Sequence, residues 1–200
     1  MKKLLLATRN RHKVEEIKHF LTASDFEILT LNDFPHVPEV AEDQPTLERN
    51  ALKKARTAYE AAGVLSLADD TGLECYYLEL KPGVYSARYA GEDATYEDNN
   101  RKLLWAMKAV PFRRRNARFR TVIAIVGKGI EEIVEGRVEG NILEAPRGAN
   151  GFGYDPLFVP LGQEKTYAEM MLEEKNKISH RASALKKAAE LLRTIVAENK

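Results

Sequence analysis

The apolar and polar positions at the start of the chain are arranged as in an α/β protein. Leu4 to Ala7 is a short apolar run that ends in polar residues. Apolar side chains then recur at helical spacing, at Val14, Ile17 and Leu21. This pattern predicts a strand, a loop and a helix in that order. A second helix is expected to start at Thr46, with mostly small residues along one side, namely Leu47, Ala51, Ala55, Ala58 and Ala62.

A second buried strand is predicted at Val64 to Ala68. It runs straight into Asp69-Asp70-Thr71-Gly72, and Leu73 to Leu78 is predicted to be a further strand. The pattern therefore places two carboxylates at the end of a buried strand.

The second half of the chain continues the alternation of helices and strands. Thr95 and Asp98 have the spacing of a capping box and predict a helix start. Two long strands are predicted at residues 116–126 and 133–142, and we expect them to form a partly antiparallel lobe. The remaining elements are a Gly-rich loop at Pro146 to Asp155, a capping box at Thr166 and Glu169, and a C-terminal amphipathic helix marked by Ala182, Leu185, Ala189, Leu192 and Val196.

Composition narrows the class of protein. The chain has 200 residues, 44% of them hydrophobic and 30% charged, which is enough for one domain with a core of its own. The 31 Lys and Arg residues nearly balance the 30 Asp and Glu residues, so no overall field favours DNA or RNA, and any anion site must be local. We interpret the basic run Arg113-Arg114-Arg115 as a solvated loop.

Cysteine count and hydropathy indicate a cellular setting. The single cysteine, Cys75, excludes an internal disulfide and a thiolate metal cluster, which suits a reducing cytosol. The apolar run near the N-terminus is too short for a signal peptide, and no stretch is long enough to cross a bilayer. We therefore expect a cytoplasmic protein that binds neither membrane nor nucleic acid.

The loop from Thr8 to Lys13 is a candidate phosphate site. It lies between a predicted strand and a predicted helix, so backbone N–H groups and the helix dipole would face an anion there, and Lys13 adds a positive charge. Polar residues at such a turn are also common as a simple solvated cap. The loop alone does not decide between the two.

The Asp69-Asp70 pair is a second candidate. A buried carboxylate is costly unless it is hydrogen-bonded or holds a cation. Alternation along a strand would send the two side chains opposite ways, so one could bind metal or activate water while the other caps the following turn. We favour Asp70 as the active one. The alternative is two exposed acids in a loop.

An acidic cluster upstream could supply further metal ligands. It consists of Glu39, Glu42 and Asp43. Hard oxygen ligands from two segments are what Mg²⁺ needs when it also binds phosphates. A solvated acidic loop would give the same pattern.

The Gly-rich loop Gly151-Phe152-Gly153-Tyr154-Asp155-Pro156 is a candidate base-binding segment. Its glycines permit close backbone approach, and Phe152 offers a flat apolar face for stacking. Lys175 and Ser179-His180-Arg181 would complete a pocket with donors and acceptors. His180 or Arg181 could otherwise be an ordinary cap of the last helix.

Taken together, six ordered segments resemble the inosine/xanthosine triphosphate pyrophosphatase family over nearly the whole chain. One motif of this kind is weak, but six in order are specific. The segments are Ala7-Thr8-Arg9-Asn10-Arg11-His12-Lys13, Glu48 to Ala55, Ala68-Asp69-Asp70-Thr71-Gly72-Leu73, Pro82 to Tyr89, Gly151 to Pro156, and Glu174 to Arg181. Two departures, Thr71 in place of a frequent serine and Asn150 in place of a common glycine, keep the hydroxyl and the turn conformation respectively.

The resemblance implies a fold and a reaction. The fold is an elongated α/β domain over residues 1–200, a mixed sheet with flanking helices and two lobes around a central active-site cleft. The reaction is the Mg²⁺-dependent hydrolysis of ITP, dITP and XTP to the nucleoside monophosphate and pyrophosphate, which removes deaminated purines from the nucleotide pool. The resemblance also implies a homodimer.

The resemblance assigns roles residue by residue. Glu42 and Asp70 would hold Mg²⁺, with Asp70 also the general base for in-line attack of water, although Glu39 and Asp43 lie close enough to Glu42 to replace it. The residues at the triphosphate and sugar would be Thr8, Asn10, Lys13, Lys54 and Thr71. Phe152 would stack on the base, and the residues lining its pocket would be Gly153, Tyr154, Asp155, Lys175, His180 and Arg181.

Donors in that pocket would donate hydrogen bonds to a 6-keto oxygen, whereas the 6-amino group of adenine would set donor against donor. Guanine also has a 6-keto oxygen, so its rejection needs another cause.

Two other functions fit parts of the sequence: a related pyrophosphatase for pyrimidine or modified-base triphosphates, and a nucleic-acid-binding module that uses Arg113 to Arg115.

Overall fold

The fold is mixed α/β, as the hydrophobic pattern predicts. A computed structural model describes residues 2–21 and 26–198. Its strands are β1 (Lys2–Leu6), β2 (Phe26–Thr30), β3 (Ser66–Cys75), β4 (Asn116–Gly127), β5 (Ile130–Ile142) and β6 (Phe158–Pro160). Its α-helices are α1 (Arg11–Leu21), α2 (Leu47–Ala62), α3 (Tyr96–Ala106), α4 (Leu172–Ile178) and α5 (His180–Glu198).

The six strands form one sheet in the order β2-β1-β3-β4-β5-β6. Strand β1 pairs in parallel with β2 and with β3, whereas β5 and β6 are antiparallel. The expected mixed sheet is thus confirmed. The edge strand β2 escaped the prediction because its five residues, FEILT, follow no distinct turn signal and alternate only weakly.

Strand β3 corrects the prediction around the two aspartates. The prediction of a strand that ends at Ala68, with a further strand from Leu73 to Leu78, is wrong, because one continuous ten-residue strand contains both aspartates in its interior. Residues Tyr76–Leu78 form a 3₁₀ helix instead. Acidic residues usually end a buried strand because their charge has no partner there. Here buried cations pair with both aspartates, so the strand continues.

The chain forms two compact units. The first unit contains the chain up to Asp70, Thr121–Gly136, and the chain from Arg181 onward. The second unit contains Thr71–Arg120 and Arg137–His180. Strands β3, β4 and β5 each contribute residues to both units.

The first unit has a core built from β1, α1, β4 and α5. Leu4, Leu6, Ile17, Ile125 and Leu185 are buried together there. Helix α2 belongs to the same unit and begins where the sequence predicts, since Thr46 caps it by accepting a hydrogen bond from the Arg49 N–H. Its alanines are buried at positions 51, 55 and 58, which holds the backbone of α2 close to its neighbours.

The second unit has a separate core rich in aromatic residues. Phe119, Phe158 and Tyr167 pack there with Leu73 and Leu103. The predicted capping box of α3 is confirmed, because Thr95 and Asp98 bond each other's backbone N–H groups. The second capping box, at Thr166 and Glu169, is also present, but it opens a single 3₁₀ turn rather than an α-helix.

Arg115 is not part of a solvated loop. Arg113 and Arg114 are exposed as predicted, but Arg115 is buried and its guanidinium donates to four backbone carbonyls, those of Met107, Val110, Ile142 and Leu143. These carbonyls lie just after the end of α3 and at the end of β5, where regular backbone pairing stops. Arg115 satisfies them, and the interpretation of all three arginines as solvated is wrong for this one.

Cys75 closes β3 and is fully buried in the second core. Burial raises the pKa of its thiol to about 12, and the Arg115 guanidinium offsets only part of that rise. Within the described residues, no helix is both long enough and apolar enough to cross a membrane.

Candidate functional site

The turn between β1 and α1 is ordered by its own polar side chains. Thr8 Oγ1 accepts a hydrogen bond from the Asn10 N–H at 3.2 Å, and Asn10 Oδ1 accepts one from the Lys13 N–H at 3.3 Å. Asn10 therefore caps α1. A recess of about 320 Å³ borders the turn, with Arg9 and Arg11 in its lining. The strand, turn and helix expected of a phosphate site are present, and the binding of an anion there stays a prediction.

Asp69 joins two cations that are far apart in the sequence. Its Oδ2 lies 3.1 Å from Lys13 Nζ and 3.3 Å from Arg181 Nε. The Arg181 guanidinium also donates to the Glu16 carboxylate on α1. All of these groups lie in the first unit, and three of the four residues are almost completely buried. Two anions and two cations balance, which is the arrangement that lets charges remain inside a protein.

Lys54, on α2, joins the second pair of carboxylates. Its ammonium donates to Glu42 Oε1 at 2.5 Å, to the backbone oxygen of Asp69 at 2.6 Å, and to Asp70 Oδ1 at 3.3 Å. Asp70 is buried, the Lys54 side chain is only 11% exposed, and Glu42 is half-buried. The interpretation of Asp69 and Asp70 as exposed acids in a loop is thus excluded.

The two neighbouring aspartates titrate in opposite directions. Burial alone would raise the pKa of Asp69, but Lys13, Arg181 and Lys54 together hold that pKa well below its usual range. For Asp70, burial and the nearby charge of Glu42 outweigh Lys54 and raise the pKa to about 6. Burial would also raise the pKa of Glu42, but Lys54 and Lys13 keep it below its usual value. Asp70 is therefore the carboxylate most ready to exchange a proton near neutral pH.

The three residues of the upstream acidic cluster, Glu39, Glu42 and Asp43, differ in their burial and in the residues they contact. Glu39 is exposed, and Asp43 is an exposed partner of Lys53 at 2.8 Å. Only Glu42 of the three shares a lysine with Asp70. This contact distinguishes Glu42 from its neighbours, which the sequence could not do.

Glu42 and Asp70 fit a hard divalent cation. Asp70 Oδ2 is buried and no described residue donates to it with good hydrogen-bond geometry, although the Asn50 side chain lies close enough to lower the Asp70 pKa; this carboxylate oxygen can therefore turn to a ligand. The described part of the chain has no group of three or more His, Cys, Asp or Glu side chains that could enclose a metal. Two carboxylates suit Mg²⁺, which usually takes its remaining ligands from water and substrate phosphates.

The Gly-rich loop of the second unit folds around Asp155. Asp155 Oδ2 accepts hydrogen bonds from the Phe152 N–H at 2.9 Å and from Lys175 Nζ at 2.7 Å, and both side chains of this ion pair are buried. Gly151 has a φ of 72°, and a Cβ there would lie 2.1 Å from the same Asp155 oxygen. Glycine is therefore required at 151 both by conformation and by space.

Aromatic rings surround the Lys175 ammonium. It lies 4.9 Å from the centroid of the Phe152 ring and 5.6 Å from that of Tyr167. His180 is buried in the same unit and stacks on Phe119 with 4.5 Å between ring centroids. The structure thus brings together the predicted residues Phe152, Asp155 and Lys175.

Tyr154 fastens the Gly-rich loop to the chain that follows β3. Its hydroxyl donates to the backbone oxygen of Ser86 at 2.9 Å, and its burial raises its pKa. The Ser86 hydroxyl in turn accepts from the Leu73 N–H and donates to the Gly83 oxygen. Tyr154 is thus in a position to hold the loop, while its predicted contact with a base stays a prediction.

Sequence reasoning gave no role to Ser86 or Glu16, and it expected Asp69 to cap the following turn, whereas Asp69 pairs with Lys13 and Arg181. Ser86 lies inside a motif that carried the family resemblance, which was the available signal. Glu16 stands next to the apolar Ile17 on α1, but its partner Arg181 is 165 positions away and no local pattern reveals it. Arg181 was predicted to line the base pocket, and its recorded contacts are with Glu16 and Asp69 in the first unit.

The fold and site define a class: α/β proteins in which a central strand carries paired aspartates that meet lysines from two helices. Residues 4–191 match the sequence model described as the Ham1 family, and this chain belongs to that family. The resemblance seen in the sequence is confirmed.

Relatives with high identity cover almost the whole chain. A protein of Thermoanaerobacter pseudethanolicus described as a dITP/XTP pyrophosphatase is 52% identical over 185 residues, which is 92% of this chain and 93% of the relative. A Bacillus subtilis protein with the same description is 45% identical over 193 residues, 96% and 98% of the two chains. The solved structure of a HAM1 protein from Coxiella burnetii matches with a TM-score of 0.89 and 38% identity over 97% of this chain and all of that one.

Proposed function

We propose that this protein is a dITP/XTP pyrophosphatase that also accepts ITP and requires Mg²⁺. It hydrolyses the nucleoside triphosphate to the monophosphate and pyrophosphate. The observation that carries the proposal is the buried cluster of Glu42, Lys54 and Asp70, because it combines a carboxylate of raised pKa with a second carboxylate and a cation. The descriptions of relatives at about half identity support the same activity.

Lys13 and Lys54 bind the triphosphate in this proposal. Both ammonium groups are largely enclosed, so their charges are less screened than those of surface lysines. Thr8 and Asn10 order the turn that presents the N-terminus of α1, whose dipole favours an anion. Thr71 follows Asp70 in β3 and supplies a hydroxyl for a phosphate or sugar oxygen.

Glu42 and Asp70 hold Mg²⁺ in this proposal. When bound, the ion neutralises negative charge on the phosphate oxygens. Asp70 orients a water molecule and accepts its proton for in-line attack at the α-phosphorus. In the metal-free protein the pKa of Asp70 is raised to about 6, so the carboxylate is mostly ionised at pH 7 and available to a cation and to a water molecule. Lys13 and Lys54 stabilise charge on the departing pyrophosphate.

The base is recognised by the second unit. Phe152 stacks on the purine, and the Gly153, Tyr154 and Asp155 segment holds that ring in place. Lys175 and His180 donate hydrogen bonds to a 6-keto oxygen. The 6-amino group of adenine is itself a donor and cannot accept these bonds. Arg181 stays predicted to act in the base pocket, in addition to its contacts with Glu16 and Asp69.

Pyrophosphate release tests the proposal. The substrates are dITP, ITP, XTP, dATP, dGTP and dTTP, each with Mg²⁺ and with EDTA, and the variant Asp70→Asn is run beside the unmodified protein. We expect Mg²⁺-dependent turnover of the first three and a loss of at least about 10²-fold in Asp70→Asn. Turnover confined to dTTP would overturn the base assignment but keep the chemistry. Salt-sensitive binding of oligonucleotides without any turnover would instead favour the nucleic-acid module.

We also propose that the enzyme works in the cytoplasm as a homodimer. The fully buried single cysteine suits a reducing compartment, and the dimer follows from the family resemblance. Sedimentation velocity at micromolar concentration tests the dimer, and a single species at 22.6 kDa would contradict it. Fractionation of the source cells tests the compartment.

A further inference from the structure

The ammonium of Lys54 lies where it contacts both carboxylates assigned to the cation. It donates to Glu42 Oε1 at 2.5 Å and to Asp70 Oδ1 at 3.3 Å. The side chain of Lys54 is only 11% exposed, so water screens these two contacts weakly. A third bond, to the backbone oxygen of Asp69 at 2.6 Å, fixes the ammonium in this place.

From this arrangement we propose that Lys54 and Mg²⁺ compete for Glu42 and Asp70, so that the cation binds tightly only when a triphosphate draws Lys54 away. The inference rests on the proposed function, because it takes these two carboxylates as the metal ligands. It adds an order of events: the cation enters the site together with the nucleotide rather than before it.

Electrostatics supports the competition. One positive charge already neutralises half of the charge of the carboxylate pair, and it would repel a divalent ion brought to the same oxygens. Mg²⁺ also loses its hydration water reluctantly, so it needs strong ligands in return. Two carboxylates shared with a lysine are weaker ligands than two carboxylates alone.

A triphosphate can resolve the competition in favour of the metal. Its phosphate oxygens offer the Lys54 ammonium a new set of acceptors with more negative charge than Glu42 carries. The lysine side chain is a flexible chain of four carbons, so rotation about its bonds can turn the ammonium from the carboxylates to the phosphates without movement of α2. The carboxylate oxygens it leaves are then available to the cation.

Neighbouring residues offer a matched control. Lys53 precedes Lys54 on α2 and pairs with an acid of the same acidic segment, Asp43, at 2.8 Å, but its side chain is 35% exposed, against 11% for Lys54, and Asp43 is exposed. Lys53→Met therefore removes one lysine charge, the ion pair with Asp43 and a bond to the backbone oxygen of Ala41, but no contact with the side chain of Glu42 or Asp70. Lys54→Met removes the competitor itself, and Lys54→Gln does so with a side chain that can still donate a hydrogen bond to the Asp69 oxygen.

The experiment is a calorimetric titration of nucleotide-free protein with MgCl₂, repeated with a non-hydrolysable dITP analogue present. We expect Lys54→Met and Lys54→Gln to bind Mg²⁺ without nucleotide at least about tenfold more tightly than the unmodified protein. Lys53→Met should bind it as the unmodified protein does. The added substitution Glu42→Gln should abolish the gain in either Lys54 variant.

Two outcomes separate this inference from the proposed function. Equal Mg²⁺ affinity of the unmodified protein and both Lys54 variants, with normal binding in the presence of the analogue, would overturn the competition and leave the function intact. An absence of Mg²⁺ binding in every protein, with and without the analogue, would overturn the metal site and the proposed function together. If Lys54→Met is poorly folded, the rise in its melting temperature on addition of MgCl₂, compared with that of Lys53→Met, gives the same comparison.

Discussion

At the scale of single residues, Asp69 and Asp70 show how position in a strand separates two identical side chains. They are adjacent in β3 and both are buried. Asp69 meets Lys13 and Arg181, which stabilise its charge, whereas Asp70 meets Lys54 together with the like charge of Glu42. The pKa is lowered in one and raised in the other, so the two aspartates oppose each other in the dependence of stability on pH.

Replacement of Asp69 should lower stability at neutral pH. Asp69→Asn leaves Lys13 and Arg181 buried beside a neutral group, which costs about 3 kcal/mol in free energy of unfolding. Because the pKa of Asp69 is lowered in the folded state, its contribution is present above the unfolded pKa of about 3.9 and is lost as the pH falls below that. Urea unfolding at about pH 7 and about pH 2 measures it. A difference between variant and unmodified protein that is as large at the lower pH as at the higher one would contradict the assignment.

Replacement of Asp70 should have the opposite effect when metal is absent. The folded pKa of about 6 lies above the unfolded value, so Asp70 favours folding at low pH, and this contribution is lost as the pH rises from about 4 to 6. In EDTA we expect Asp70→Asn to be more stable than the unmodified protein at pH 8, by on the order of 2 kcal/mol, with little difference at pH 4. Thermal unfolding at the two pH values tests this. A less stable variant at pH 8 would show that ionised Asp70 is net stabilising.

At the scale of elements, the Gly-rich loop depends on a few fixed contacts. Asp155 closes the loop on itself, and Tyr154 ties it to Ser86. The contact between Tyr154 and Ser86 could not be predicted from the sequence, because the two residues are 68 positions apart. The existence of the loop was predictable from its glycines, while the function of each side chain within it was not.

Loss of the Tyr154 hydroxyl should loosen base recognition. In Tyr154→Phe the Ser86 carbonyl loses a buried donor, and we expect the KM for dITP to rise about five- to tenfold with a smaller change in kcat. The preference for dITP over dATP should fall as well. Tyr77→Phe, at an exposed tyrosine, is the matched control and should leave these values as they are. A loss of kcat alone, with KM and preference unchanged, would argue against a positioning role.

The effect of space at Gly151 can be distinguished from that of backbone conformation by comparison with Gly162, which has a similar φ. Gly151 and Gly162 both have positive φ, 72° and 79°, but only at Gly151 would a Cβ meet another atom, Asp155 Oδ2 at 2.1 Å. Both alanine variants carry a backbone penalty of about 1 kcal/mol. Only Gly151→Ala should displace Asp155 and Lys175, with a fall in kcat/KM for dITP of at least about tenfold. Equal kinetics in the two variants would mean that strain, not the contact, matters.

At the scale of the whole molecule, the local sequence pattern predicted most of the helices and strands but few of the ion pairs and hydrogen bonds between them. The helices α1, α2, α3 and α5 were predictable because caps and apolar spacing are properties of neighbouring residues. The continuity of β3 was not, because it depends on Lys13, Lys54 and Arg181, which reach the aspartates from distant parts of the chain. Arg115 was misjudged for the same reason, since its acceptors lie at the ends of two other elements.

The thiol of Cys75 should report on opening of the second core. It is fully buried with a pKa of about 12, so the folded chain presents almost no thiolate at pH 8. We expect Ellman's reagent to react with the native protein only as fast as the protein unfolds, and at once in urea. Rapid reaction of native protein would show that this core opens locally.

An inert native thiol also makes the molecule convenient for spectroscopy. A cysteine introduced at an exposed position, such as that of Trp105 on α3, would be the one group to take up a maleimide dye or spin label, and the natural Cys75 could stay in place. Pairs of such labels, one in each compact unit, would report the distance between the units in solution as nucleotide and Mg²⁺ are added.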